Sequence, residues 1–153
     1  MPKVPIKLSV AFDTRKKKYC AAKIRVMPAH DVRDARYLLK NSKSAVATAD
    51  KGYRSEKLCE FAYHQHTVLM VPKKINVRKP GFFTKKMDKL FRLRTYHRRE
   101  LVESGNSSIK RKYGSSVSSR KVRTIRSEVY GRLACHNIFY WLFRLSGWSL
   151  RGA

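Results

Sequence analysis

The chain opens with two short runs in which apolar and polar positions alternate. They are IKLSVAFD (residues 6–13) and YCAAKIRVM (residues 19–27), separated by the polar turn RKKK. A period of two is typical of half-buried strands, and the short connection favours a hairpin. Asp31 is then placed as a helix N-cap, with Asp34 in the first turn, where a carboxylate favours the helix dipole. The apolar positions of this predicted helix recur every three to four residues: Val32, Ala35, Leu38 and Leu39.

A second group of elements follows around a single carboxylate. AVATAD (residues 45–50) is a run of small and β-branched residues that ends in Asp50. It predicts a buried central strand with Asp50 at its carboxyl end. Ser55 is placed as the N-cap of a helix over residues 56–65, and HTVLMVP predicts the next strand. The order β-β-α-β-α-β predicts an α/β fold in which helices pack on a mixed sheet.

Residues 73–86 break this pattern with Pro, Gly, two Phe and six Lys/Arg. We interpret them as a basic loop or small insertion over a nucleic-acid groove. Phe82 and Phe83 either stack on bases or anchor the loop to the core, and the second is favoured. A helix is predicted from about Met87, weakened at residues 104–108, since Gly and Asn are poor in helix interiors.

The last part of the chain predicts a flexible connector over residues 114–121 and a helix over residues 122–145. Expected core contacts of this helix are Ile125, Val129, Leu133, Ile138 and Trp141. Four arginines either contact DNA or are simply solvated on the outer face of this helix: Arg120, Arg123, Arg126 and Arg132. We expect one domain over residues 1–153.

The chain carries far more basic than acidic side chains. Its 153 residues suffice for one domain with a core, and 36 Lys+Arg against 10 Asp+Glu give a formal net charge of +26. Such a surface repels itself unless it meets a polyanion, and the basic residues run through the whole chain. Composition therefore predicts salt-dependent binding to nucleic acid. A basic RNA-binding protein of ribosomal type would also explain the charge.

The cysteines are odd in number, widely spaced and without a CxxC pair: Cys20, Cys59 and Cys135. This pattern indicates reduced, mostly buried thiols in an intracellular protein. His64 and His66 lie near Cys59, but no fourth ligand has metal-site spacing, so zinc is not predicted. The N-terminus lacks the apolar core of a secretory signal. The apolar run 138–145 is too short to span a bilayer, so no membrane partner is expected.

One stripe of side chains carries candidate chemistry. In YHRRELVESGNSSIK the spacing Tyr-x2-Arg-x3-Glu-x6-Lys joins Tyr96, Arg99, Glu103 and Lys110. On a helix these offsets return to nearly the same face, because each residue advances about 100°. A carboxylate placed there can bind a metal ion while its cationic neighbours bind phosphates. The plainer alternative is that Glu103 only pairs with Arg99 and that Asp50 only caps the loop it opens.

Two segments resemble insertion-sequence DDE transposases. ATADKGYRSE, which contains Asp50, is similar to the region around their second catalytic Asp, and the segment from Tyr96 to Lys110 is similar to their third catalytic region with its Tyr-Arg-Glu-Lys signature. The resemblance runs from about Lys7 to Ile138 and implies an RNase H-like fold. It implies that Asp50 and Glu103 bind Mg²⁺ (or Mn²⁺), the hard cations that carboxylates hold in two-metal phosphoryl transfer. It also implies that three side chains contact transposon-end DNA or position its phosphates: Tyr96, Arg99 and Lys110.

The first catalytic Asp of that family lies on the first strand of its fold, and this chain resembles the family only from the second strand onward. Asp13 is the one early acid and a further candidate metal ligand. We therefore expect the C-terminal portion of a transposase catalytic domain that lacks its first strand, with weak or no cleavage by the isolated chain. The missing strand predicts marginal stability or self-association.

These observations support two functional hypotheses besides RNA binding. The first is DNA transposition by metal-dependent phosphodiester cleavage and strand transfer. The second is a non-catalytic DNA-binding transposase remnant that occupies DNA ends or forms mixed dimers. The resemblance implies a protein associated with DNA, both transposon ends and target, in the cytoplasm or nucleoid of a prokaryote. It also implies a homodimer.

Overall fold

The computed structural model describes residues 6–25, 32–73 and 79–146. The first six elements follow the predicted order: β1 (Lys7–Asp13), β2 (Lys18–Arg25), α1 (Val32–Ser42), β3 (Val46–Thr48), α2 (Glu56–His64) and β4 (Val68–Met70). Four helices complete the described part of the chain: α3 (Phe82–Lys89), α4 (Leu93–Tyr96), α5 (Glu100–Tyr113) and α6 (Val122–Leu145). A short 3-10 turn, Lys51–Tyr53, precedes α2, and a second, His97–Arg99, joins α4 to α5. The N-cap predicted at Asp31 lies outside the described residues.

The four described strands form two separate sheets. β1 pairs with β2, as the hairpin prediction requires, and β3 pairs with β4. The second pair is parallel, with Val46 opposite Val68 and Thr48 opposite Met70. The single mixed sheet expected from the element order is not formed among the described strands. β3 is also not fully buried, because Ala47 packs on the core while Val46 points outward and is 44% exposed.

Contacts divide the chain into two compact units. The first unit holds residues 1–11 and 20–100, and the second holds residues 12–19 and 101–153. Buried side chains from α1, α2, β4 and α3 form the main core of the first unit: Ala35, Leu39, Leu58, Cys59, Ala62, Leu69, Val71 and Met87. The helical period read from the sequence therefore identified Ala35, Leu38 and Leu39 of α1 correctly as inward residues, and the burial of Val32 lies outside what the structure describes.

The capping prediction for α2 is confirmed. The Ser55 side chain accepts a hydrogen bond from the backbone N–H of Leu58 at 3.3 Å. This bond satisfies one of the free N–H groups in the first turn, which have no partner within the helix.

The predicted start of the next helix is wrong. A separate helix, α3, already begins at Phe82 inside the stretch we expected to be a loop. Its first turn is capped by Glu56 of α2, whose carboxylate accepts from the backbone N–H groups of Phe83 (2.8 Å) and Thr84 (3.2 Å) and from the Thr84 hydroxyl (2.5 Å). Burial favours the protonated form of Glu56, but the hydrogen bonds from Thr84 and Phe83 lower its pKa below the ordinary value. A distant carboxylate thus starts a helix that has no local cap of its own.

Gly81 is the residue that leaves room for this cap. A Cβ at Gly81 would collide with the carboxylate of Glu56. We predict that Gly81→Ala displaces the carboxylate and lowers the free energy of unfolding by about 1 kcal/mol, the usual cost of losing an N-cap. Urea unfolding measures the change. In a Glu56→Ala background the same substitution should cost less than half as much; an equal cost in both backgrounds would show that the cap is not involved.

The weakening predicted at residues 104–108 is also wrong, because α5 runs through them without a break. Gly105 is buried, and a Cβ there would lie 3.1 Å from both Phe12 and Tyr19. The glycine thus permits close packing of the helix on the β1–β2 turn region. Tyr19 adds a hydrogen bond from its hydroxyl to Asn106 (3.0 Å).

The last helix has the predicted bounds, and its core contacts are partly confirmed. Ile125, Val129 and Leu133 are buried, but Ile138 and Trp141 are exposed. His136 takes the expected core position, because it continues the series of buried residues on the same helical face. Cys20 and Cys135 are exposed and only Cys59 is buried, so the expectation of mostly buried thiols is wrong; none of the three forms a disulfide.

The connector before α6 is fixed to that helix rather than free. Arg132 donates to the carbonyl oxygens of Gly114 (3.0 Å) and Ser116 (2.9 Å). Glu128 accepts from the backbone N–H groups of Ser118 and Ser119 and pairs with Arg132 at 2.6 Å. The hydrogen bonds from Ser119 lower the pKa of Glu128. Arg132 is therefore a structural residue, whereas Arg123 and Arg126 remain exposed.

His136 is a buried titratable group. Its ring contacts those of Tyr19 and Tyr140 at centroid distances of 5.1 and 4.7 Å. Nε2 lies 3.2 Å from the carbonyl oxygen of Lys17, and Nδ1 is buried without a hydrogen-bond partner. Burial lowers the pKa of His136, and the cation of Lys112 adds to this. The neutral ring is thus the form that the fold accommodates.

We predict that the second unit loses stability as the pH falls below about 6.5, the pKa of an unfolded histidine. Because the folded pKa is the lower one, the unfolded chain binds more protons in this window, so stability rises with pH there and is fully present above it. Chemical unfolding at pH 5.5 and 7.5 measures the effect. His136→Gln should flatten the dependence and His64→Gln, on the exposed end of α2, should keep it; an unchanged slope in His136→Gln would contradict the assignment.

Candidate functional site

Asp50 lies directly beyond the parallel pair, as predicted. The last ladder bond joins the N–H of Ala49 to the carbonyl oxygen of Met70 (3.0 Å), and the carbonyl oxygen of Asp50 accepts from Tyr53 N–H (2.9 Å) to close the 3-10 turn. The side chain makes no hydrogen bond to this turn, so the plain capping role is not observed. It is 60% exposed. A strand end thus fixes the backbone while the carboxylate stays accessible.

Arg99 approaches Asp50 within the first unit, and Tyr96 contacts Arg99. Nη1 of Arg99 lies 3.5 Å from Oδ2 of Asp50. The guanidinium also lies 5.8 Å from the centroid of the Tyr96 ring, which in turn packs near Phe91 at 5.5 Å. The structure therefore brings Arg99 of the predicted stripe to the Asp50 carboxylate, which precedes it by 49 residues. The spacing along the sequence suggested a pair between Arg99 and Glu103, and it gave no indication that Arg99 contacts Asp50.

Glu103 and Lys110 belong to the second unit, on α5. Both side chains are exposed, and their separation of seven residues places them on one side of the helix. The predicted uninterrupted helix under the stripe is wrong. Tyr96 ends α4, Arg99 ends the 3-10 turn and only the last two members share α5.

Asp13 ends β1 and shapes the hairpin turn. Its Oδ1 accepts from the backbone N–H groups of Arg15 (2.8 Å) and Lys16 (2.9 Å). This is the ordinary way an Asp side chain stabilises a turn, and Lys17 completes the turn with φ 51°. These contacts give Asp13 a structural role. Both hydrogen bonds use Oδ1, and neither involves Oδ2.

The donor chemistry of the candidate carboxylates suits a hard divalent cation, since exposed carboxylate oxygens are the ligands Mg²⁺ and Mn²⁺ take. Within residues 6–25, 32–73 and 79–146, no three His, Cys, Asp or Glu side chains converge into a group that could hold a metal ion. Asp50 and Glu103 fit the cation by type, and Asp50 is already approached by a cation, Arg99.

Arg54 anchors the segment after Asp50, and sequence reasoning missed it. Its guanidinium makes two hydrogen bonds to the Asp88 carboxylate (2.8 and 2.7 Å) and one to the carbonyl oxygen of Val71 (3.1 Å). The bonds to Asp88 raise the pKa of Arg54. This fork ties the chain just beyond Asp50 to α3 and to the end of β4. The 34 residues between the partners leave no local spacing signal.

The two phenylalanines of the predicted basic loop have separate roles. Phe83 packs against the core of the first unit, which confirms anchoring for that residue. Phe82 is 63% exposed. Lys86 lies over it, 5.0 Å from the ring centroid, and 4.4 Å from that of Tyr63. The surface combines aromatic faces with a cation, the composition that binds bases and phosphates of single strands.

Among the described helices, none has the length and apolar character needed to cross a bilayer. A family model described as "Transposase DDE domain" matches residues 3–138, most of the chain. Comparison with curated proteins gives no match, and comparison with solved structures gives none.

Proposed function

Since the chain belongs to the transposase DDE domain family, we propose that Asp50 and Glu103 are metal-binding carboxylates for phosphodiester cleavage and strand transfer on insertion-sequence DNA. The family carries out DNA transposition, a phosphoryl transfer that uses divalent metal ions. The observation that supports the assignment most is the position of Asp50. Its carboxylate stands beyond the end of a parallel strand pair, accessible and next to Arg99.

The site requires its carboxylates to be held by rigid elements. Asp50 is fixed by β3 on one side and by the 3-10 turn on the other, and the Arg54–Asp88 fork secures the segment that follows. Glu103 projects from the first turn of α5. Bound Mg²⁺ or Mn²⁺ would activate the oxygen that attacks the phosphorus and stabilise the oxygen that leaves it.

The cationic and aromatic members of the stripe are proposed DNA contacts. Arg99 is half-buried against Tyr96, so its guanidinium is oriented before DNA arrives. At 3.5 Å its contact with Asp50 is longer than a strong charge-assisted hydrogen bond. Lys110, exposed on α5, would contact a phosphate as a point charge. We also propose that the two small sheets belong to an RNase H-like arrangement.

The net charge of +26 supports DNA as the partner. Neutralising phosphates releases counterions, so affinity should fall steeply with salt. A protein of this charge and family would be associated with DNA in a prokaryotic cell.

Nicking of DNA that carries insertion-sequence ends tests the proposal. Cleavage should require Mg²⁺ or Mn²⁺ and stop when EDTA is added. The contrary result is cleavage that persists in EDTA, or DNA ends that stay intact with either metal ion.

A second candidate is a DNA-binding protein that occupies transposon ends without cutting them. It is favoured by one observation, the lack of a three-carboxylate cluster among the described residues. End-specific, salt-sensitive binding without metal-dependent nicking would select it.

A further inference from the structure

The C-terminal half of α6 is apolar on its outward face as well as on its inward face. The inward face packs Leu133 and His136 into the second unit. On the opposite side four large apolar side chains are more than half exposed: Ile138, Trp141, Leu142 and Leu145. A helix that is apolar all round is normally covered on all sides.

These exposed residues form a continuous seam. From Gly131 to the end of α6, seven positions lie within about 60° of Ile138 on the helix circumference, at 100° per residue. We name them the α6 seam: Gly131, Ala134, Cys135, Ile138, Trp141, Leu142 and Leu145. None is charged, although the chain as a whole is strongly basic. The spacing of three and four residues is that of a helix–helix contact.

We propose that the α6 seam is the contact between two copies of this chain, whose α6 helices pack antiparallel. The sizes of the seam residues support this occupant. The N-terminal end of the seam is small, with Gly131 and Ala134, and a Cβ at Gly131 would meet open space. The C-terminal end is large, with Trp141 and Leu145. An antiparallel crossing near Ile138 places the large end of each copy against the small end of the other, and such a two-fold contact is self-complementary.

The area is sufficient for a specific pair. The exposed parts of the large seam side chains amount to roughly 500 Å² per copy, given the size of such side chains. Two copies would bury about 1,000 Å², which reaches the lower limit for a specific interface. Left uncovered, the patch would match the largest found on monomeric proteins.

The charges around the seam do not prevent pairing. Arg132 is held by Glu128 and by two carbonyl oxygens, and Lys112 lies 3.3 Å from the centroid of the Phe139 ring. General repulsion between two copies of net charge +26 remains. Since salt screens it, pairing should become tighter as salt increases, opposite to the trend for DNA binding.

Sedimentation without DNA tests the surface. The wild-type chain should dimerise, more tightly at high salt. Ile138→Asp should weaken the dimer at least about 100-fold, because pairing would bury two uncompensated charges. Val122→Asp, at the exposed start of the same helix, should not weaken it. Melting curves verify that both variants fold. A monomeric wild type at all concentrations and salt levels, or a dimer unaffected by Ile138→Asp, would overturn the proposal.

Crosslinking tests the direction of the pair. In a Cys20→Ser background, Trp141→Cys should form an interchain disulfide with Cys135 of the second copy, because positions 141 and 135 face each other across a crossing at Ile138. Replacing Cys135 by Ser should abolish that product. If the helices were parallel, the cysteine at position 141 would crosslink to itself and the product would survive Cys135→Ser, which would refute the antiparallel assignment.

Discussion

Asp50→Asn and Glu103→Gln should each reduce metal-dependent nicking at least about 100-fold, since loss of groups one shell beyond a metal already costs 10–100-fold. An amide keeps the size of the carboxyl group but loses its charge and half of its acceptor oxygens, so it is a poor ligand for Mg²⁺. Plasmid nicking with Mn²⁺ and DNA that carries the ends measures the effect. DNA affinity should fall little, because neither substitution removes a positive charge.

Two carboxylates provide matched controls. Glu100 lies on the same helix as Glu103 and is 73% exposed, and Glu60 is exposed on α2. Glu100→Gln and Glu60→Gln should retain wild-type nicking. An equal loss of nicking in the control variants would mean that removing any acidic side chain lowers activity, and that Asp50 and Glu103 are not specific metal ligands.

Arg54→Ala should lower the free energy of unfolding by about 3 kcal/mol, because it leaves the buried Asp88 carboxylate without a partner. The two side chains are only 8% and 15% exposed, so water compensates poorly. Since Arg54 also anchors the segment after Asp50, nicking should fall with stability. Denaturant unfolding at pH 7 measures the first effect.

Two further variants separate the contribution of the Arg54–Asp88 ion pair from other effects on stability. Arg33→Ala removes an exposed arginine from the same unit and should change stability by less than about 0.5 kcal/mol. Arg54→Met combined with Asp88→Leu should recover most of the loss, because an apolar pair carries no desolvation cost. If the double variant were as unstable as Arg54→Ala, the loss would come from packing rather than charge.

Local sequence patterns predicted the secondary-structure elements whose bounds depend only on residues nearby in the chain. The hairpin, the helix bounded by Ser55 and the bounds of α6 all follow from period and capping within about ten residues. The predictions failed where a distant group decides. α3 starts at Phe82 because Glu56 caps it from 27 residues away, and α5 passes through Gly105 because Phe12 and Tyr19 pack there.

The candidate site shows the same division. The strand before Asp50 was readable from AVATAD, and the Tyr96–Lys110 spacing was readable as a motif. The contact between Arg99 and Asp50 was not, because it joins elements whose order along the chain carries no distance information. Ile138 and Trp141 lie on the face opposite the buried Leu133 and His136, so placing them in the core rested on their apolar character and not on their position around the helix.

Metal-directed backbone cleavage tests the central claim, that Asp50 and Glu103 bind the divalent ion. Fe²⁺ in place of Mg²⁺, with ascorbate and peroxide, cuts a protein chain close to the bound ion, whether or not DNA is turned over. Fragments should end within a few residues of positions 50 and 103, and excess Mg²⁺ should suppress them. Both sets of fragments should disappear in Asp50→Asn and in Glu103→Gln but persist in Glu100→Gln. Cleavage at other positions, or fragments unchanged in the two site variants, would contradict the account.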